Sequence, residues 1–418
     1  MDSRRLAQQL LEQCLAGEAP PPSEVLPLIE RAASADRAEA EEASRALFGI
    51  LAEGLADRFD AALVEIYGRI FSHAIALACP ELDASRLQER YQTVRRIRAF
   101  RRPERGVREV VVLSRITLGA DIAVTSVLLD AAKRRFPEAR IRFAAPEKNW
   151  RLFSGDPKLE WLPVSYGRMA TLRERLEAGR ALVPHLNREG VIVIDPDSRL
   201  TQLGLLPVCL DESYYLFDSR SYGGDGADPL PVLASRWAGE VFGAPECAPY
   251  MAPQETPETP PAPFLTVNLG VGDNPRKRVP DPFEAELLAG LAALGMPLLL
   301  DLGGSEEEEA RVRRAVELSG AATDQVRLWR GSFAALAAII ARSRLYVGYD
   351  SGGQHAAAAA GTPLVTVFAG FPSLRMMARW TPWGPGPKQV VRADLGTPSQ
   401  ILGKALAAAR RLIRGPAE

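Results

Sequence analysis

The sequence predicts an α/β protein with two Rossmann-like halves and an all-helical segment ahead of them. From Glu109 onward, short apolar runs alternate with helical patterns, as parallel strands joined by crossover helices do. Each half opens with a strand and a glycine turn: 109–114 leads to Gly119, and 264–268 leads to Gly270. Residues 1–103 show helical spacing and no strand pattern. A proline-rich stretch at 253–263 joins the halves, so two such domains would face a cleft.

In the helical segment, Leu6, Leu10, Leu11 and Leu15 recur at helical spacing, as do Leu47, Leu51, Leu55, Phe59, Leu63 and Ile66. Pro20-Pro21-Pro22-Ser23 separates the first two helices, with Ser23 as the candidate cap. The segment is expected to be an accessory domain, or a means of homo-oligomer formation. It ends in Arg95-Arg96-Ile97-Arg98-Ala99-Phe100-Arg101-Arg102-Pro103. That run reads as the solvated end of a helix plus a linker, with a peripheral contact to an anionic membrane surface or an acidic partner as the other reading.

The first α/β half is expected at 104–252. Its strands are 109–114, 141–144, 159–162 and 191–194. Ligands of such sheets sit outside the strand carboxyl ends, where Asp121, Asp197 and Arg199 fall. The interval 214–226 reads as a loop in which Tyr222 lines an acceptor pocket or simply meets solvent.

The second half, 264–418, has the turn Gly270-Val271-Gly272-Asp273, a strand at 297–302 before Gly303-Gly304, and a terminal helix. Its centre is Asp350-Ser351-Gly352-Gly353-Gln354-His355, set between apolar strands at 345–349 and 364–368. Ser351 is the expected N-cap. Glycines let the main chain approach a ligand, and the N–H groups of a helix start attract phosphate. Five alanines, 356–360, let this helix lie close to its sheet.

Composition excludes several classes. A net charge of −1 over 418 residues offers no overall basic field for nucleic acid. The four cysteines form no CxxC pair, which fits structural thiols in a reducing compartment. His73, His185 and His355 lack metal-ligand spacing. No signal peptide is visible, and no run reaches the ~20 apolar residues of a membrane span.

These motifs resemble glycosyltransferase family 9, the ADP-heptose lipopolysaccharide heptosyltransferases of GT-B architecture. The match rests on Asp350-Ser351-Gly352 with His355 and Gly361-Thr362-Pro363, and on Pro382-Trp383-Gly384-Pro385. Lys277-Arg278-Val279-Pro280 is similar to the family's K-x-W-P turn, with valine at the tryptophan position. Gly119-Ala120-Asp121 with Arg134-Arg135-Phe136-Pro137 is similar to its G-D…RRFP block. In this chain Ala120 intervenes between glycine and aspartate, so Asp121 falls one place late unless a one-residue bulge restores it.

The resemblance implies inverting, metal-independent transfer of a sugar, first heptose, from a nucleotide-diphosphate donor to a saccharide or glycolipid acceptor in the cytoplasm. No cofactor is expected beyond the donor itself, ADP-linked. Asp121 would be the base, or else a helix N-cap. Lys277 would meet the diphosphate as a point charge, or else stand solvated beside Arg276 and Arg278. Ser351, Gly352 and Gly353 would donate to the same phosphates. His355, at the positive end of a helix dipole, should be neutral. Asp350 would hold a sugar hydroxyl or order its turn. Glu306 would hold the ribose, or simply open a helix favourably charged by four glutamates. Asp197, Arg199 and Tyr222 are the acceptor-side candidates. Two other readings stay open: a nucleotide-sugar epimerase, and a binding or scaffold protein without turnover.

Overall fold

A computed structural model describes residues 2–101, 106–167, 169–272 and 274–414. Arg102 and Pro103 of the basic run, the domain boundary placed at 103, and Asp273 of the glycine turn lie outside the described residues.

The chain forms two compact units. The first holds Met1–Thr117, Leu128–Asn149 and Lys158–Cys247, and the second holds Leu118–Val127, Trp150–Pro157 and Ala248–Glu418. The boundaries drawn from the sequence ran along the chain, whereas two short pieces of the first half group with the second unit. The helical segment shares a core with the first sheet. Leu47 and Phe71 belong to the same buried cluster as Leu113, Val193, Leu200 and Leu216.

The first sheet is parallel, in the order β3 (Leu159–Pro163), β2 (Arg140–Ala145), β1 (Glu109–Leu113), β4 (Val191–Asp195), β5 (Tyr214–Leu216). β1 and β4 are buried throughout, as central strands covered on both faces must be. β5 corrects the expectation of a loop from Tyr214: three residues are too few to show a periodicity in sequence.

The helices of the first segment start at aspartates whose side chains accept main-chain N–H groups. Asp2 takes Arg5 N–H, Asp36 takes Glu39 N–H, and Asp83 takes Arg86 N–H. Ser23 does not cap; helix Pro22–Ala32 already starts at Pro22, where the missing N–H costs nothing. The leucine-rich run is two helices rather than one, with a π-turn at Leu47–Ala52 and a break before Ala61–Ala78. Ala61–Ala78 is long and apolar enough to cross a membrane by composition, yet Phe71, Ala74 and Ile75 are in the core.

Arg96, Ile97, Arg98, Ala99 and Arg101 of the basic run are exposed, as a solvated helix end and linker would be, while Arg95 and Phe100 turn inward. Arg95 pairs with Glu65 and Asp218. Arg98 donates to the carbonyls of Asp211, Glu212 and Tyr214 and lies over the Tyr215 ring. Arg90 pairs with Asp211 at 2.6 Å. These side chains strap the last helix to edge strand β5.

The second sheet is parallel, in the order β11 (Lys388–Arg392), β10 (Leu364–Phe368), β9 (Leu345–Tyr349), β6 (Leu265–Asn268), β7 (Leu298–Asp301), β8 (Val326–Trp329). Helix Gly352–Ala360 follows β9, with Ala356, Ala357 and Ala358 buried. Main chain packs on it directly. A Cβ at Gly384 would stand 1.8 Å from the Ala358 carbonyl oxygen, and one at Gly386 would stand 2.3 Å from that of Gly361. The Pro-Trp-Gly-Pro segment is therefore a clamp on the alanine helix.

Gly384→Ala should destabilise the second unit by about 1–3 kcal/mol through overpacking, seen as an earlier thermal transition. Gly403→Ala in the C-terminal helix, where a Cβ meets nothing within 4 Å, should instead stabilise by roughly 0.4–1 kcal/mol.

Candidate active site

The second sheet reverses its direction of growth between β9 and β6. At such a switch point the loops after adjacent strands leave toward opposite faces and open a crevice. β6 supplies Gly270 here, and β9 supplies Asp350, Ser351 and Gly352.

Lys277 reaches this point from the turn Pro275–Lys277. Its Nζ donates to Asp350 Oδ2 at 2.7 Å and to the Asp350 carbonyl at 3.3 Å. The other carboxylate oxygen accepts from Gln354 Nε2 at 2.7 Å, and Gln354 Oε1 accepts from Thr366 Oγ1 at 2.7 Å. Gln354 also donates to the Trp380 carbonyl. Gln354 and Thr366 are wholly buried, so the chain Thr366–Gln354–Asp350–Lys277 fixes the ammonium from inside the fold. Asp350 thus joins Lys277 and Gln354 within its turn.

The lysine turn is held from two more sides. Gly370 has φ +61, and a Cβ there would stand 2.1 Å from the Arg276 carbonyl oxygen. Arg278 points the other way, to Glu284 at 2.9 Å, which also accepts from Arg311. Val279, at the motif's tryptophan position, is buried in the core.

Ser351 sits at the N-cap position, but its hydroxyl makes no cap hydrogen bond. This corrects the expected cap: the backbone is extended at φ −151 and ψ 179, as at other caps, but the hydroxyl lies against that of Tyr346 instead. Ser351 Oγ and the Tyr346 hydroxyl are buried beside each other, and neither has a hydrogen-bond partner in any other described residue. Gly353 is required beneath them, since a Cβ would stand 2.2 Å from the Tyr346 hydroxyl.

His355 is 5% exposed. Burial pushes its pKa down to about 4; Asp350 opposes that shift and Lys277 adds to it. Burial, not the helix start, thus keeps the ring neutral near pH 7, and it meets Trp380 edge-on at 5.8 Å.

Gly119 lies over the same helix start. A Cβ on it would stand 2.9 Å from Gly352 Cα and 3.2 Å from His355 Cδ2. Asp121 follows in a continuous helix, where Ala120 is already helical at φ −71 and ψ −33. The capping role is therefore excluded. Its carboxylate is fully buried and accepts from Thr125 Oγ1 at 2.6 Å. The turn Asp121–Thr125 is π-helical, the form a helix takes around a one-residue excess. It coincides with the place where the motif falls out of register.

Glu306 is exposed and is not drawn into this cluster. Glu308 is: its Oε1 accepts from Val271 and Gly272 N–H, and its Oε2 from Gly304 N–H. It ties the glycine turns after β6 and β7 together. In a run of four glutamates only the helical phase decides which one turns inward.

In the first unit, Asp197 has φ +73 and accepts from Ser219 Oγ at 2.7 Å and Arg220 Nη1 at 2.5 Å. Arg199 pairs with Glu53 at 3.2 Å, and Arg220 also reaches Asp57 at 3.3 Å. Tyr222 turns to Glu240 at 2.9 Å. Each acceptor-side candidate thus has a protein partner, and Tyr222 is directed to helix Leu230–Phe242 rather than to Asp197. Gln354, Thr366, Glu308 and Arg220 escaped sequence reasoning. Gln354 alone carried a signal, as an uncharged polar residue among glycines and alanines.

The model of glycosyltransferase family 9 (heptosyltransferase) matches residues 244–400. No curated protein matches the sequence. Among solved structures, a glycosyl transferase family 9 protein from Veillonella parvula is 16% identical, with 75% of this chain and 99% of that one covered at TM-score 0.55. The E. coli ADP-heptose lipopolysaccharide heptosyltransferase II is 19% identical, with 74% and 100% covered at TM-score 0.50. E. coli heptosyltransferase WaaC with ADP is 19% identical, with 73% and 99% covered at TM-score 0.51. At these identities the likeness is one of fold. The two parallel sheets follow the GT-B plan.

Because the folded-state pKa of His355 lies near 4 against 6.5 when unfolded, the unfolded chain binds more protons between these values. Stability from the neutral ring is complete above about pH 6.5 and is lost as pH falls toward 4. The melting temperature of wild type minus that of His355→Asn should shrink across that window and stay flat from pH 7 to 8. A difference that grows on acidification would place a charged ring in the fold.

Proposed function

We propose that this glycosyltransferase moves a sugar from a nucleotide-diphosphate donor, ADP-heptose first, to a saccharide acceptor with inversion and without a metal. The observation that carries the reading is the meeting of Lys277, Asp350 and a glycine-rich helix start at the switch point of the second sheet. An ammonium has three N–H groups, and two of them go to Asp350. The third is left for a phosphate oxygen. The N–H groups of Gly352 and Gly353 head a helix, where the first turn lacks intrahelical acceptors. Ser351 Oγ, buried beside the Tyr346 hydroxyl, adds a hydroxyl at the same place.

In the reaction the acceptor hydroxyl gives its proton to the base as its oxygen attacks the anomeric carbon. The bond from that carbon to the diphosphate breaks on the opposite side. The charge that develops on the departing nucleoside diphosphate is stabilised by Lys277 and the helix start. Neutral His355 contributes no positive charge to that step and can donate one hydrogen bond. Asp121 is the proposed base. Asp197 and Arg199 are proposed for the acceptor side, with Tyr222 at its margin. Four cysteines, all free thiols, fit a reducing, cytoplasmic setting.

One observation favours a second reading. The Asp121 carboxylate is fully buried and held by Thr125, which suits a protein that binds nucleotide sugars without turnover. Asp121→Asn separates the two: transfer lost with ADP binding kept supports the base. Wild-type binding with no transfer to any acceptor supports the binder.

Ligand-dependent melting with ADP, UDP, GDP and ADP-heptose tests the donor. At about 100 times its dissociation constant a ligand stabilises by roughly 2.7 kcal/mol. ADP species should do so in wild type and fail in Lys277→Ala. A UDP or GDP preference removes heptose, and no shift with any of them removes the phosphate site.

A further inference from the structure

We propose that the free edge of β11 and the adjoining face of the C-terminal helix form a docking groove for an extended acidic segment of another protein. This surface plays no part in the proposed transfer reaction. Among the described residues β11 pairs only with β10, so its outer main-chain groups line an edge strand. Helix Pro398–Arg414 runs beside it. Between them is a cavity of about 340 Å³, lined by Gln389, Arg392, Leu395, Lys404 and Arg411 among others.

The charges in this groove are unbalanced. Arg392 is neutralised by Asp394 at 2.6 Å. Lys404 Nζ donates only to the Leu395 carbonyl at 3.2 Å, and Arg411 only to Gln389 Oε1 at 2.8 Å. Neither has a carboxylate partner among the described residues, and both side chains are exposed. Two cations thus border a cavity with neutral acceptors alone.

Their placement selects the occupant. Lys404 and Arg411 lie seven residues apart on one helix, about 10 Å along its axis. A single phosphate needs converging cations, whereas these are two helical turns apart. An extended chain advances about 3.3 Å per residue, so acidic side chains two to four positions apart approach both. The edge supplies the remaining recognition. The Val390 carbonyl accepts only from its neighbour's side chain, Gln389 Nε2, at 3.2 Å, a contact that an incoming strand can replace. A second copy pairing edge to edge is disfavoured, because its own β11, Lys388–Arg392, brings no carboxylate to Lys404 and Arg411. The mode is strand addition, with main-chain hydrogen bonds for affinity and the two cations for specificity.

The test is fluorescence anisotropy of the full chain with a labelled peptide about seven residues long, ~23 Å extended, that alternates Glu and Thr. Saturable binding is expected, weakened about tenfold or more in Lys404→Glu and in Arg411→Glu. The same peptide with alternate amides N-methylated, and one with Lys in place of Glu, should not bind. ADP-dependent melting should be unchanged in both variants, which separates the groove from the nucleotide site. The proposal is overturned by no binding at ~1 mM, by equal binding to the charge-reversed variants, or by equal binding of the N-methylated or lysine peptide. Binding of inorganic phosphate or anionic vesicles to this groove in place of the peptide also overturns it.

Discussion

The lack of side-chain bulk on helix Gly352–Ala360 is the constraint on which the second unit depends. Main chain from three directions closes on it: Gly119 above Gly352, Gly384 on Ala358, and Gly386 on Gly361. Such approach requires glycine or alanine on the helix and glycine on its neighbours, because any Cβ would occupy the space of a backbone atom. The same packing brings the start of the helix, with its unpaired N–H groups, to the crevice between β9 and β6. A motif that reads as ligand chemistry in sequence is therefore also a packing device, and its two roles share residues.

Within that frame, polar groups are fixed from the core outward. Thr366 holds Gln354, Gln354 holds Asp350, and Asp350 holds Lys277. A buried hydrogen-bond chain of this kind restricts the ammonium to one place while leaving a donor for a ligand. His355 beside it is kept neutral by burial. A second cation next to Lys277 would have to be desolvated as well, and burial disfavours it.

The first unit solves a different problem with charge. Its helical layer meets the carboxyl end of β4 through Glu53 with Arg199 and Asp57 with Arg220, while Arg220 also holds Asp197. Of these pairs only Arg220 with Asp197 is enclosed, so breaking it would strand a buried charge. The helical segment is thus committed to this unit by electrostatics as well as by the apolar core it shares. That commitment accounts for two arginines of the basic run, Arg95 closing onto Glu65 and Asp218 and Arg98 onto the edge of β5.

Sequence alone determined the alternation of strands and helices, the two Rossmann-like sheets, and the strand–glycine–helix unit around Asp350. These depend on local patterns of apolar residues and on glycine's freedom from a Cβ, and neither needs distant partners to be read. Only the tertiary structure decided which polar groups meet. Glu308 rather than Glu306 turns to the glycine loops, Ser351 leaves its hydroxyl uncapped, and Asp121 lies inside a π-turn instead of capping a helix. β5, with three residues, and the arginines of the helical strap became legible only beside their partners. Hydrogen bonds and ion pairs join residues up to 163 positions apart, and a linear pattern carries no record of which ones the fold brings within reach.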